Sequence, residues 1–276
     1  MKLNVITQGQ GKPILCLHGH PGSSKTMSVF TDVLSQQYQT IAPDLRGYGK
    51  TPAGGNFRME DHLEDLQELL DEYQIEDCLL LGWSLGGILA LELALQNPHR
   101  FNGLIMVASA AYPRSSHPAI STKDLIYTGI SGIINYVKPG WLWNINNLAN
   151  KSLFRYLIAQ HNTTAYQYLG KQGVTAYLQT SSAANDALSN AIKNGYNRLP
   201  DLAKIQIPCL VLAGERDRHI TAQSSAETAR YLPHCQYVCY PNTAHLFPWE
   251  IPHRVIEDIQ RWLKIVGDQE SAANYE

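Results

Sequence analysis

Three side chains in this sequence could together carry out nucleophilic catalysis, and each directly follows an apolar run typical of a β-strand. They are Ser84, Asp217 and His245, in that chain order. A serine hydroxyl becomes a nucleophile when a histidine accepts its proton, and a carboxylate holds that histidine in the required tautomer. The strands of a parallel sheet end at one edge, so we expect the three side chains to meet there. Their chemistry favours attack on an acyl carbonyl.

The segment around Ser84 predicts how its hydroxyl is presented. The sequence reads Gly-Trp-Ser-Leu-Gly-Gly over 82–87, after the apolar run Leu79–Leu81 and before a helical run that begins at Ile88. A serine displayed at the end of a sheet needs a sharp turn in which neighbouring side chains would collide, which explains a glycine on either side of it. The following helix directs its N–H groups and its positive end toward the same place.

Asp217 and His245 are the predicted orienting acid and the predicted general base. His245 is expected to take the proton from Ser84 and later return it to the leaving group. Glu215 is the nearest alternative to Asp217 as the acid, because it lies in the same loop. His219, two residues after Asp217, is expected to be a loop residue rather than a second base.

Acyl transfer also requires two N–H donors for the oxyanion that develops on the carbonyl oxygen. A glycine-rich turn, His-Gly-His-Pro-Gly over 18–22, follows the apolar run 14–17 and can leave one N–H free. We assign the two donors to the backbone N–H groups of His20 and Leu85. A plain turn between a strand and a helix is the alternative for the segment 18–22.

Strand-like and helical runs alternate along most of the chain, which predicts an α/β fold with a mostly parallel sheet covered by helices on both faces. The predicted strands span 3–7, 14–18, 39–44, 77–83, 102–108, 208–214 and 236–240. The predicted helices span 27–37, 59–73, 86–96, 222–231 and 253–264.

About a hundred residues before the strand 208–214 break this alternation. Within them, helical patterns cover 121–137, 151–160, 164–180 and 183–194. One α/β core with an insertion also fits the length of 276 residues. The predicted division is a core over 1–110 and 200–266, a helical cap over 111–199, and a polar C-terminal tail over 267–276.

The composition excludes several classes of protein. A net charge of −2 gives no reason to expect a nucleic-acid partner, and 44% hydrophobic residues predict a sizeable core. We see no secretory signal in the first 25 residues, and no run approaches the ~18 apolar residues of a membrane span. Three of the five cysteines lie in strand-like runs, and none belongs to a zinc-binding pattern. We therefore expect a cytoplasmic protein without a metal or cofactor.

The predicted cap has an uneven charge and many aromatic residues. Residues 112–198 contain eight Lys and Arg and two Asp. This excess could attract an anionic substrate or an acidic carrier protein, and the alternative is that the basic side chains are simply solvated faces of helices. The side chains expected to line an acyl pocket under the cap are Tyr127, Trp141, Trp143 and Leu246.

The order of the three candidate catalytic residues on three strand ends resembles the α/β-hydrolase fold superfamily, in which the acid and the histidine follow the serine. Asp44–Thr51 is similar to the superfamily's D-x-R-G-x-G-x-S stretch, with threonine at its last position. The resemblance covers 1–110 and 200–265. It implies a sheet of the α/β-hydrolase type with a helical cap, or lid, inserted after the sixth strand.

Local motifs narrow the chemistry that the resemblance implies. The elbow Leu81–Gly87 is similar to that of carboxylesterases acting on pimeloyl-acyl-carrier-protein methyl ester. The turn over 18–22 resembles haloperoxidase and epoxide hydrolase relatives, but epoxide hydrolases carry aspartate where this chain has Ser84. The resemblance therefore implies a serine hydrolase that cleaves a carboxylic ester with a small to medium acyl group.

Other members of the superfamily keep the same three residues for different purposes. Cofactor-free haloperoxidases or perhydrolases and carbon–carbon bond hydrolases remain alternative enzymes, although the latter usually have asparagine at the position of Trp83. A ligand receptor on the hydrolase fold is the non-enzyme alternative, and it would be acylated once without steady-state turnover. The oligomeric state is not predicted.

Overall fold

The seven apolar runs of the sequence form one seven-stranded sheet in the computed structural model, which describes residues 1–273 and side chains through residue 268. In chain order, the strands β1 to β7 are Asn4–Gln8, Pro13–Leu17, Gln39–Asp44, Cys78–Trp83, Phe101–Val107, Cys209–Gly214 and Cys235–Tyr240. Their order across the sheet is β1-β3-β2-β4-β5-β6-β7. Only β1 pairs antiparallel, so the predicted mostly parallel sheet is confirmed.

Twelve α-helices lie within the described residues. In chain order, α1 to α12 are Ser28–Leu34, Asp61–Glu72, Leu85–Gln96, Thr122–Val137, Leu142–Asn147, Phe154–Leu157, Thr163–Tyr168, Val174–Leu178, Ser182–Lys193, Ala222–Tyr231, Phe247–Glu250 and Pro252–Ala273. None of these helices combines the length and the apolar character that a membrane span requires.

The last helix is longer than the sequence pattern predicted. It continues past the predicted end at residue 264 and through most of the predicted polar tail to Ala273. Ile259, Leu263 and Val266 are buried at helical spacing, so the apolar side of α12 reaches as far as the start of that tail. Residues 274–276 of the predicted tail lie outside the described residues.

Alternate residues of each central strand face opposite layers of helices. In β4, Leu79 and Leu81 belong to the apolar cluster that includes residues of α1 and α12. Cys78 and Leu80 belong to the cluster that includes residues of α2 and α3. This period of two buries both faces of the sheet and places β4, which ends directly before Ser84, near its middle.

Helices α4 to α9 lie between β5 and β6, where the sequence places the insertion. In the strand numbering of this chain, the insertion directly follows β5. Ile145 and Tyr166 of the insertion share an apolar cluster with Trp249, so this segment packs onto the core. The predicted boundaries of the cap, 111–199, stay a prediction.

All five cysteines are free thiols. Cys16, Cys78 and Cys209 are buried in strands, as the sequence predicted. Burial raises the pKa of the Cys78 thiol to about 12, and burial also raises the pKa of the Cys16 thiol. A thiol with such a pKa stays protonated at neutral pH and is a poor nucleophile.

Two imidazoles outside the triad are buried, His18 directly after β2 and His62 in α2. The N–H of Leu45 donates to Nε2 of His18 at 3.1 Å, so a neutral His18 carries its proton on Nδ1, which lies 2.8 Å from the carbonyl oxygen of Gly19. His62 packs against the ring of Phe57, and its buried Nδ1 has no hydrogen-bond partner among the described residues. Burial lowers the pKa of both rings from 6.5 to about 4.

These two histidines predict a loss of stability in acid. Folding lowers the pKa values of both rings, so below about pH 6.5 the unfolded chain binds more protons than the folded chain. The free energy of unfolding that these rings contribute is therefore fully present above pH 6.5 and is lost as the pH falls toward 4. Each ring accounts for on the order of 3 kcal/mol of the free energy of unfolding that is lost in acid. We expect His62→Phe to flatten the fall in the free energy of unfolding, measured by urea titration between pH 7 and pH 4.5.

The matched control is His253→Phe, because His253 is exposed on α12. This variant is expected to follow the wild-type curve. Parallel curves for wild type and His62→Phe would contradict the assignment.

Candidate active site

Ser84 lies in the sharp turn between β4 and α3, with the backbone angles φ 53° and ψ −114°. Its N–H donates to the carbonyl oxygen of Val107 at 2.8 Å, which fixes the turn to the next strand. A Cβ at Gly82 would collide with the backbone of Gly86, and a Cβ at Gly86 would collide with the carbonyl group of Leu17. The two glycines therefore permit a turn that forces a non-glycine residue into a strained conformation.

The structure brings Ser84, His245 and Asp217 into one hydrogen-bonded chain. The Oγ of Ser84 lies 3.1 Å from Nε2 of His245, and Nδ1 of His245 lies 2.7 Å from Oδ2 of Asp217. At most 5% of each of these residues is exposed. With the ring proton on Nδ1 donated to the carboxylate, Nε2 is free to accept the serine proton. The arrangement can therefore generate a serine nucleophile.

Asp217 is held in place by its own loop. Its Oδ1 accepts the N–H groups of His219 at 2.7 Å and Ile220 at 3.0 Å, which leaves Oδ2 directed at the imidazole of His245. Glu215, the alternative acid, is exposed and instead accepts the N–H of Asn242 at 2.8 Å. Of the two candidates, only Asp217 contacts the histidine.

The turn after β2 lies directly against the candidate nucleophile. A Cβ built on Gly19 would lie 3.0 Å from Cβ of Ser84 and 3.8 Å from its Oγ. Leu85 is the first residue of α3, so its N–H has no acceptor within the helix. The peptide bond between His20 and Pro21 is cis, and Nδ1 of His20 lies 2.8 Å from the hydroxyl of Tyr48. His20 follows Gly19 in this turn and Leu85 directly follows Ser84, and their role as oxyanion donors stays a prediction.

Two further histidines lie beside the candidate base. The ring of His219 packs at 4.6 Å from the ring of His245, centroid to centroid, and its Nδ1 lies 3.3 Å from Nε2 of His117. As predicted, His219 lies in a loop, two residues after Asp217. Nothing in the sequence indicates that His117 lies beside these histidines, because it is more than a hundred residues away from both in the chain.

Glu250 is a buried acid whose contacts were not predicted from the sequence. Its buried carboxylate accepts the N–H of Ala244 at 2.8 Å, next to His245, and those of Ala159 at 3.1 Å and Gln160 at 2.6 Å in the segment after α6. Burial raises the pKa of this carboxyl group. One side chain therefore joins the histidine loop to the insertion.

A cavity of about 860 Å³ lies on the acid side of the triad. It is lined by residues of the insertion and of the loops after β6 and β7, among them Tyr156, Ile158, His161, Asp217 and Ala244. None of the four predicted pocket residues lines this cavity.

The four predicted pocket residues differ in how far they are exposed. Trp141 and Trp143 are 38% and 50% exposed and stack on each other, and their role in a pocket stays a prediction. Aromatic content alone does not indicate which face of a helix a ring occupies. Leu246 is half-buried and donates its N–H to the carbonyl oxygen of Leu157 at 2.8 Å. Tyr127 is half-buried in α4, and the pocket role of Tyr127 and Leu246 stays a prediction.

The basic residues of the insertion fall into two groups. Its three arginines form ion pairs, Arg155 with Asp124, Arg198 with Glu92, and Arg114 with a carboxylate of α10. Its five lysines are exposed and form no ion pair within residues 1–268; they are Lys123, Lys138, Lys151, Lys171 and Lys193. The lysines therefore carry the positive surface charge.

The sequence matches a known protein family and is similar to individual named proteins. Residues 12–252 match a family model described as the alpha/beta hydrolase fold. The chain is 28% identical over 246 residues to a pimeloyl-[acyl-carrier protein] methyl ester esterase of Legionella pneumophila (strain Corby), covering 89% of this chain and 92% of the relative. It is 26% identical over 275 residues to a 2-hydroxymuconate semialdehyde hydrolase of Pseudomonas putida, covering 95% and 90%.

A solved structure shows the same fold. A thermophilic esterase from Thermogutta terrifontis superposes with a TM-score of 0.67 at 24% sequence identity, over 96% of this chain and 93% of the esterase.

The contacts of Glu250 predict that its removal weakens both the fold and the site. Glu250→Ala leaves three N–H groups without their acceptor, which should lower the free energy of unfolding by about 3 kcal/mol. The histidine loop then loses its anchor, and we expect kcat for an ester to fall about tenfold or more. Urea titration and steady-state kinetics measure the two effects.

Glu215→Ala is the matched control, because this exposed carboxylate accepts a single backbone N–H in the neighbouring loop. It should cost less than about 1 kcal/mol. Equal effects of the two substitutions on stability and kcat would show that Glu250 does not position the histidine.

Proposed function

The chain belongs to the alpha/beta hydrolase family, and from that premise we propose that it hydrolyses a carboxylic ester through an acyl-enzyme formed on Ser84. The observation that carries the proposal is the buried hydrogen-bonded chain from Ser84 through His245 to Asp217. An esterase among its relatives and another among solved structures of the same fold are consistent with ester bonds as the substrate class. The acyl group that we propose is small to medium in size.

In the first half of the proposed reaction, Oγ of Ser84 attacks the ester carbonyl carbon while Nε2 of His245 accepts the hydroxyl proton. The carbonyl oxygen becomes an oxyanion, which the N–H groups of His20 and Leu85 stabilise. When the tetrahedral intermediate collapses, the bond to the alcohol oxygen breaks. The proton on His245 passes to the leaving alcohol, and the acyl group remains on the serine.

In the second half, water replaces the alcohol. His245 accepts a proton from the water as its oxygen attacks the acyl carbon, and the bond to Oγ of Ser84 then breaks. The serine recovers its proton from the imidazole, and the carboxylic acid leaves. Throughout, Asp217 keeps the ring in one tautomer and stabilises its positive charge.

An ester carried by an acidic carrier protein is the second candidate substrate. The name of the Legionella relative describes such a substrate, and the five exposed lysines of the insertion supply a surface of the required charge. Activity on a carrier-bound ester that falls steeply with salt, with a neutral small ester unaffected, would support this candidate.

Hydrolysis of p-nitrophenyl esters from acetyl to decanoyl tests the proposed function. We expect turnover by the wild type with an optimum at one chain length, and a loss in kcat on the order of 10³-fold or more in Ser84→Ala. Ser189→Ala, at an exposed position of α9, is the matched control and should retain wild-type activity.

Two outcomes would contradict the proposal. Full activity in Ser84→Ala would exclude this serine as the nucleophile. Absence of turnover with every ester, while a fluorophosphonate still labels Ser84, would favour peracid formation, carbon–carbon cleavage or a receptor role.

A further inference from the structure

Helix α4 turns its apolar side chains toward solvent and its small or polar side chains toward the protein. The side chains exposed by 47% to 78% are Leu125, Ile126, Ile130, Ile133, Tyr136 and Val137. The buried residues are Asp124, Ser131, Gly132 and Asn135. A surface helix of a globular protein has the opposite arrangement. The exposed side of α4 therefore suits an apolar environment that this chain does not itself provide.

Specific contacts fix this orientation of the helix. The guanidinium of Arg155 donates to the carboxylate of Asp124 at 2.8 Å, on the inner side of the first turn. Near the other end, Nδ2 of Asn135 donates to the carbonyl oxygen of Tyr166 at 2.7 Å, and its Oδ1 accepts the N–H of Gly140 at 3.0 Å. Rotation of α4 to bury its apolar side would break all three contacts, so its outward direction belongs to the fold.

The apolar surface continues into the residues that follow α4. Trp141, Leu142 and Trp143 are each 38% to 59% exposed. The two indole rings stack at 5.2 Å, and Nζ of Lys138 lies 4.7 Å from the centre of the Trp141 ring. Tryptophan beside lysine at the edge of an apolar surface is typical of proteins that lie in a lipid headgroup region. We call the exposed residues of α4 and these three residues the apolar cap face.

The charge around the apolar cap face indicates what kind of partner would bind it. Residues 112–162 contain five Lys and Arg and one acidic residue, Asp124, which is buried and paired with Arg155. Lys123 and Lys138 stand at the two ends of α4, and Lys151 ends a turn that packs against it; all three are exposed. Two copies joined through this face would bring lysines together without acids to pair with them. A partner with a negatively charged surface and an apolar interior matches both the lysines and the exposed apolar side chains.

We propose that the apolar cap face docks the protein on an anionic lipid surface, with α4 lying in the plane of the headgroups. The aliphatic side chains of α4 enter the boundary of the acyl chains, and Lys123, Lys138 and Lys151 contact lipid phosphates. The proposal rests on the placement of these side chains and does not depend on the ester chemistry. Binding and turnover can therefore fail separately.

Vesicle binding followed by tryptophan emission tests the proposal with the full chain. Trp83, Trp249 and Trp262 are buried, so the exposed Trp141 and Trp143 report contact with lipid. We expect co-sedimentation with vesicles of phosphatidylcholine and phosphatidylglycerol and a shift of the emission to shorter wavelength. Vesicles of phosphatidylcholine alone should bind more weakly, and salt should weaken binding to the anionic vesicles.

Two variants with matched controls separate the apolar and the charged contributions. Ile130→Gln, Ile133→Gln and Val137→Gln together should lower the partition coefficient at least about tenfold, while Ile265→Gln, at an exposed apolar position of α12, should not change it. Reversing two charges with Lys123→Glu and Lys138→Glu is expected to lower it at least about tenfold on anionic vesicles.

Lys264→Glu, at an exposed position of α12, is the control for the charge reversal and should bind like the wild type. All substituted positions are exposed, so we expect every variant to melt at the wild-type temperature. Equal melting temperatures would show that the fold is intact.

Four results would overturn the proposal. The first is absence of binding to either kind of vesicle at low salt. The second is wild-type binding by the triple glutamine variant. The third is a concentration-dependent dimer in sedimentation equilibrium that the triple variant abolishes in the absence of vesicle binding, because this would assign the face to a second copy of the chain. Binding only to an acidic acyl carrier protein would likewise replace lipid with a protein partner.

Discussion

Close approach of three backbone segments at the end of β4 is the constraint on which the rest of the site depends. The turn around Ser84 forms only because Gly82 and Gly86 let β4, the start of α3 and the end of β2 come together without a Cβ between them. The same approach carries the turn of Gly19 and His20 to the nucleophile. One steric requirement therefore brings together Ser84, the start of α3 and the turn that contains Gly19.

The remaining parts of the site are added at neighbouring strand ends. Asp217 follows β6 and accepts two backbone N–H groups of its own loop. His245 follows β7, and the N–H of the preceding residue, Ala244, donates to the carboxylate of Glu250. Glu250 extends this control to the insertion, since one buried carboxylate holds the loop of His245 and the segment after α6. The Glu250 carboxylate thus couples the histidine loop to the insertion, beside the backbone hydrogen bond from Leu246 to Leu157.

Much of this architecture could be predicted because it is encoded locally. Each strand is an uninterrupted apolar run, and every predicted strand end lies within one residue of the observed end. Glu250 and His117 could not be identified in this way, because their contacts join segments that are distant in the chain. The exposure of Trp141 and Trp143 could not be predicted for a related reason, because composition reveals that rings are present and not which side of a helix they occupy. The outward apolar side of α4 also emerges only when its buried neighbours are known.

The central claim is that Ser84 carries a covalent acyl group during turnover, and intact-protein mass spectrometry tests it most directly. The enzyme is mixed with p-nitrophenyl acetate, quenched in acid within the first turnover and digested to locate the modification. We predict one added acetyl group, located on the peptide that contains Ser84 and missing from Ser84→Ala. Release of p-nitrophenol by the wild type without any adduct on that peptide, or with an adduct at another residue, would contradict the account.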